Sequence, residues 1–233
     1  TTLMQRLTTN DVEDLSPGDS QYSTITDESG TIVDDTIVYR LPEEEARYLF
    51  VPNAGHDEAA YRRWVDHRDE WDLDSEVRNE TTAWGMLAVP GPDAQDVLDA
   101  HVGNSTEVSS LSWGDGTYAD VAGVRSWVSR TGYTGEDGFE VLCPADETEA
   151  VWQALVEGCQ RCGLGARDTL RTEMGYLLSG QDFDPASEPR NPYEAGVGWT
   201  VDLDTEFVGR DALARVSDPD ERLQGLRLEA RGV

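Results

Sequence analysis

The chain has 233 residues, enough for one large domain or two small ones around a sizeable core, and 38% apolar with 8% aromatic residues excludes a disordered chain. Its 47 acidic residues stand against 18 basic ones, every one an arginine, for a formal net charge of −29. That charge opposes a polyanion at every approach and excludes a nucleic-acid partner, and no run nears the roughly 18 apolar residues of a membrane span. The acids are spread along the chain, which suits a surface adapted to concentrated salt, and a soluble, cytoplasmic protein is expected.

Residues 21–52 read as a meander of three strands: Gln21–Asp27 alternates, Ser29-Gly30 turns, Thr31–Arg40 alternates again, and Arg47–Val51 is the third run. The spacing of Ala60, Trp64, His67 and Trp71 predicts a helix from His56 to Trp71. Short strands are expected at Glu76–Glu80 and Ala83–Val89, before the turn Pro90-Gly91-Pro92 and a helix carrying Ala94, Val97, Leu98 and His101. The Ser-, Gly- and Thr-rich stretch Gly103–Gly116 marks a boundary between subdomains, and strands at Val124–Ser129 and Phe139–Cys143 follow. Asp146 with Glu149 reads as a capping box for a helix ending near Gly158. A further helix from Gly165 places Ala166, Leu170, Met174 and Leu177 on one face. Strands and helices do not alternate regularly, so the class is α+β with antiparallel sheets flanked by helices. Both ends read as cut: residue 1 enters an apolar stretch at once, and Leu223–Leu228 begins a strand pattern with no room to finish.

Three cysteines, Cys143, Cys159 and Cys162, are too few for a disulfide scaffold. Cys159 and Cys162 form a lone C-x-x-C, but His56, His67 and His101 lack paired ligand spacing and the motif follows a helix, not a strand. No metal is expected.

Some residues ask for a chemical reason. Alternation puts Asp35 on a face with Val33, Ile37 and Tyr39, while Asp34 points the other way with Thr36 and Arg40. A buried carboxylate without partners costs several kcal/mol or titrates to neutral, so Asp35 either binds a neighbouring turn or faces a cationic substrate. Residues 132–140 hold three glycines in seven positions, as at a hairpin turn or a loop that approaches a ligand closely. Glu140, beside Phe139 and Val141, can accept two parallel hydrogen bonds from an amidine-like edge. Gly163–Asp168 lacks the third glycine and the preceding βαβ strand of a dinucleotide fingerprint. It leaves Arg167 in a first helical turn, where the dipole disfavours a cation unless Asp168 or an anionic or carbonyl-bearing ligand offsets it.

These residues resemble one family, the glycine-cleavage T-protein (aminomethyltransferase). Seven stretches in the family's order carry the resemblance: Gln5–Val12, Gly30–Tyr39, Gly132–Glu140, Cys162–Arg171, Gly180–Asp184, Tyr193–Trp199 and Phe207–Arg210. The departures are Pro90, where glutamine is usual, and Thr172-Glu173-Met174. The resemblance implies two interleaved folate-binding lobes and a third, β-barrel lobe. Residues 1–19 and 111–222 would form the first lobe, 20–110 the second, and 223–233 the start of the mostly missing barrel. It implies tetrahydrofolate as co-substrate and, as partners, the lipoylated H-protein and functionally the P- and L-proteins. It makes Asp35 the catalytic aspartate and Glu140 the reader of the pterin amino edge. Tyr133, Tyr22 and Trp199 would line the folate pocket, and Asn53 and Arg167 would contact substrate. A folate-dependent demethylase of the same superfamily and a non-catalytic folate-binding relative are the alternatives.

Overall fold

The computed structural model describes residues 1–42, 47–103, 105–216, 218–219 and 221–226. Two antiparallel sheets organise it. The first is the meander, β1 (Ser20–Thr26), β2 (Ile32–Arg40) and β3 (Tyr48–Phe50), with β2 in the middle. Its register sets Tyr22 opposite Ile37 and Thr24 opposite Asp35, with a bulge at Ile25/Thr26. Helices α1 (Thr2–Leu7) and α2 (Asp57–Glu70) cover one face, burying Leu3, Met4, Leu7, Ile25, Val38 and Trp64 together. The ring of Phe50 stacks on Trp64 at 4.4 Å, which fixes the start of the β3–α2 connection.

The second sheet contains β4 (Trp84–Pro90), β5 (Gly116–Val121), β6 (Val124–Ser129) and β7 (Gly138–Pro144), in the order β4-β7-β6-β5. Helices α3 (Ala94–His101) and α5 (Thr148–Leu155), with the short α4 (Ser105–Ser109) between them in the chain, seal one face over Val89, Val128, Phe139 and Val141. The other face meets the meander: Tyr39 of β2 and Leu41 just beyond it pack with Trp127 and Leu142 of the second sheet. This contact brings β2 and β7 together and sets where their polar side chains end.

Several expectations change in the folded chain. Residues 76–80 form no strand; Arg78 turns back to Glu76 in a two-pronged contact at 2.7 and 2.8 Å instead of pairing with a neighbouring chain. An unexpected strand, β5, starts at Gly116, the last residue of the stretch read as a boundary, and Ala122 and Gly123, both with positive φ, close a tight hairpin from it to β6. The sheet therefore draws strands from both sides of residue 110, β4 finding its hydrogen-bond partner in β7. No capping box forms at α5: Glu147 is the N-cap and makes no side-chain cap bond. Helix α6 (Leu164–Met174) stops at Gly175, whose φ of 76° suits a left-handed C-cap. Leu177 consequently lies beyond it, buried with Ile32, Phe183 and Ala195. Met174 is exposed, and the one buried residue of α6 is Arg171. The stretch expected to begin a barrel, 223–233, lies outside the described residues from 227 onward.

Candidate active site

Strand β2 is paired along both edges, and the carboxylates it carries at Asp34 and Asp35 are buried, so they need donors. Asp35 is 9% exposed and has two. The Tyr22 hydroxyl donates to Oδ2 at 2.6 Å from β1, and Asn53 Nδ2 donates to Oδ1 at 2.6 Å from the segment after β3. Burial raises the Asp35 pKa above the usual carboxylate range; the two hydrogen bonds work against that rise, and the neighbouring charge of Asp34 adds to it. Burial, then Asp35 itself, raises the Tyr22 phenol well above its ordinary value, so Tyr22 stays a neutral donor.

Asp34 does not stand apart on the opposite face. It is 4% exposed, and its Oδ1 takes the same Asn53 Nδ2 at 2.7 Å and the Asp35 backbone N–H at 3.1 Å. Its Oδ2 takes the Asn53 backbone N–H at 3.3 Å and lies 3.2 Å from His56 Nδ1. The reason is the connection into α2: Thr36 Oγ1 clips to both the carbonyl and the N–H of Val51, which turns residues 52–56 across the strand and over both carboxylates.

Two further groups border this centre. Trp199, 69% exposed, tilts against Tyr22 with ring centroids 5.7 Å apart. Its 3-10 turn Gly198–Thr200 is held near β1 by hydroxyl contacts: Thr9 donates to Thr200 at 3.5 Å and lies 2.8 Å from the Thr24 hydroxyl. Tyr133, in the β6–β7 loop, donates its hydroxyl to the Leu177 carbonyl, and the Arg167 guanidinium sits 4.2 Å above its ring. That ring face offsets the cost of a cation in the first turns of α6. Burial raises the Tyr133 pKa, Arg171 and Arg167 oppose the rise, and the Asp35 charge adds to it, so Tyr133 lies within electrostatic reach of Asp35. Helix α6 is anchored by Arg171, 3% exposed, which binds Asp168 at 2.8 Å, Asp182 and the Tyr176 carbonyl.

Glu140, half-buried on β7, accepts from Thr131 Oγ1 at 2.5 Å and from the Tyr39 hydroxyl at 3.2 Å. Both bonds end on Oε2, and Oε1 takes none among the described residues. Burial, then Glu140, raises the Tyr39 phenol. Tyr39 is four residues beyond Asp35, so the two carboxylates are tied to points about 13 Å apart along β2. The fold thus joins Asp35, Tyr22 and Asn53 by hydrogen bonds and adds Trp199 by ring contact. It pairs Arg167 with Tyr133, and it sets Glu140 toward the other end of the strand. Asp34, His56, Tyr39 and Thr131 are not among the expected site residues; the Asp34-Asp35 doublet was the available signal for the first. Among the described residues no cluster of three or more potential metal ligands forms, and no helix is long and apolar enough to cross a membrane.

The chain is similar to known proteins over nearly its whole length. It is 58% identical to a probable aminomethyltransferase of Haloarcula marismortui, covering 100% of this chain and 64% of that protein. A probable aminomethyltransferase of Halobacterium salinarum is 56% identical over 99% of the chain and 63% of its own length. An aminomethyltransferase of Thermotoga petrophila is 39% identical over 97% of the chain and 63% of its own. The chain therefore spans slightly less than two thirds of these curated relatives. Its fold matches the crystal structure of the glycine cleavage system aminomethyltransferase T from Bartonella henselae with a TM-score of 0.76 at 28% identity, covering 92% of this chain and 57% of that one. The profile of the GCVT N-terminal domain matches residues 1–205, and the chain belongs to that family.

Proposed function

We propose that this chain carries the one-carbon transfer site of an aminomethyltransferase of the glycine cleavage system. The donor is the aminomethyl-lipoyl arm of the H-protein, and the P- and L-proteins are functional partners. The methylene carbon passes to two nitrogens of tetrahydrofolate, ammonia leaves, the lipoyl sulfur departs as a thiol, and 5,10-methylenetetrahydrofolate forms. Cationic character develops on the transferred carbon and the attacking nitrogen. Asp35, fixed in advance by Tyr22 and Asn53, stabilises that charge without reorganising, and burial strengthens the effect. Glu140 Oε1 has the free acceptor capacity to read the amino edge of the pterin, which is the fit this co-substrate requires. Tyr133 and Trp199 supply aromatic walls, and Arg167 supplies a cation for a carbonyl or carboxylate of the substrate. Holding two reactants in place accounts for much of the remaining rate.

The observation that carries this reading is a buried carboxylate with no cation of its own. Asp35 has two neutral donors, and among the described residues neither an arginine nor a histidine pairs with it. The partner charge must come from what binds. The test is an assay of the protein as the cell makes it, with aminomethylated H-protein and tetrahydrofolate, following ammonia and methylenetetrahydrofolate together. Turnover that needs both substrates supports the proposal. Equal turnover of a free methylated amine without H-protein would replace it with a demethylase, and absence of tetrahydrofolate binding by calorimetry would remove the folate site.

A further inference from the structure

Asp34 is a heavily used side chain of the site, sharing the Asn53 amide with Asp35. Its two oxygens collect an amide N–H2 and a backbone N–H from Asn53, the backbone N–H of Asp35 and the contact with His56. The Asn53 amide is the shared element: one Nδ2 spans the carboxylates of Asp34 and Asp35 at 2.7 and 2.6 Å. Ionised carboxylates only accept, so this amide must present its nitrogen to both. Its carbonyl Oδ1 takes no hydrogen bond among the described residues.

We propose that Asp34 is a positioning residue that locks the Asn53 amide, keeping Nδ2 on Asp35 and leaving Oδ1 as the acceptor for an N–H-bearing substrate. The argument turns on what Asp35 alone could hold. A carboxyl that gains a proton becomes a donor and would accept a flipped Asn53, with Oδ1 turned inward. Asp34 removes that freedom, because a flip would set Oδ1 against a carboxylate it cannot bind. His56, on the other oxygen of Asp34, is aligned to hold that carboxylate in place. The substrate class is an amine or a reduced-pterin nitrogen still bearing hydrogen, which rests on the proposed function. The lock itself does not, since it is readable without turnover.

Lock and charge make opposite predictions for Asp34→Asn. The ionisable groups facing Asp35 are Tyr22 from β1, Asp34 from β2 and Tyr133 from the β6–β7 loop. The Asn53 hydrogen bond lowers the Asp35 pKa by more than the Asp34 charge raises it. If Asp34 acts by charge alone, its neutralisation lowers the Asp35 pKa. If it locks the amide, the carboxamide introduced by Asp34→Asn can offer a donor to a flipped Asn53, protonated Asp35 then donates to the inward-turned Oδ1, and this new hydrogen bond to the neutral form raises the Asp35 pKa. The measurement is a carbon-13 carboxyl titration of Asp35 in the natural protein and in Asp34→Asn. An upward shift is expected, with Asp34→Glu, which keeps an acceptor-only group, lying on the wild-type side of Asp34→Asn. Turnover should fall about ten- to a hundredfold, the worth of a hydrogen bond to a charged group, with the KM for tetrahydrofolate within about twofold of wild type. A downward or absent shift overturns the lock. If Asp34→Asn does not fold, the wild-type protein decides: the Asn53 side-chain amide protons must keep their bonded shifts as Asp35 is protonated, and their loss overturns the proposal. Absent activity with an intact upward shift would instead count against the proposed function alone.

Discussion

Asp35→Asn removes one charge while keeping the shape of the side chain, and the structure sets opposite consequences for turnover and stability. A cation developing about 4 Å from the carboxylate, at the effective dielectric of about 20 typical of protein sites, gains about 4 kcal/mol, or about a thousandfold in rate. Losses on removing a pre-placed stabilising group, about 10²–10³, agree. Tetrahydrofolate affinity should change little, because Glu140, Tyr133 and Trp199 are untouched. Stability moves the other way. Burial raises the Asp35 pKa in the folded chain, so the stability this group contributes is present below the ordinary carboxylate range and lost as pH rises through the raised folded value. At pH 7 the ionised side chain is a net burden, and Asp35→Asn should melt at a higher temperature than wild type, the gap closing as acid protonates the native residue. Turnover with H-protein, calorimetric folate titration and thermal melts at pH 7 and pH 4 measure the three effects. Turnover within threefold of wild type, or a lower melting temperature at pH 7, would refute the reasoning.

Tyr22→Phe deletes the 2.6 Å hydroxyl donor to Asp35, so the acid limb of the pH–rate profile should move to higher pH, with about a tenfold loss at the limb; an unmoved limb rules out the bond. Gly116→Ala would place a Cβ 2.3 Å from Trp127 Cζ2, inside the contact between the two sheets. It should cost about 1–3 kcal/mol by denaturant unfolding, and an unchanged midpoint would show that the indole gives way freely. At a net charge of −29 the melting temperature should climb as salt shortens the screening length from about 30 Å at 0.01 M to about 3 Å at 1 M; a flat or falling trend would mean that self-repulsion is not what salt relieves.

What the sequence made legible is what short-range patterns encode. The meander was readable because alternation and the Ser29-Gly30 turn recur within a few residues, and α2 because Ala60 and Trp64 repeat at helical spacing. Asp35 stood out as an acid on an apolar face. β5 follows directly on the Ser-, Gly- and Thr-rich stretch and is only six residues long, and its strand character depends on the hairpin to β6. Glu76–Glu80 has only Val77 to place in a core, and among the described residues no strand edge receives it. The Tyr39–Glu140 contact spans 101 positions, and the Asn53 bridge depends on how a loop crosses a strand, so neither leaves a local trace.

The order β4-β7-β6-β5 also governs how the molecule must be made. Trp84–Pro90 leaves the ribosome first of its sheet, but its neighbour Gly138–Pro144 is the last strand to emerge, roughly fifty residues later. At about 5–20 residues per second, β4 waits several seconds as a bare edge, with Met86 and Leu87 open to the wrong partner. Dividing the chain after residue 110 would make that wait permanent, and the two polypeptides would regain a complete sheet only by finding each other.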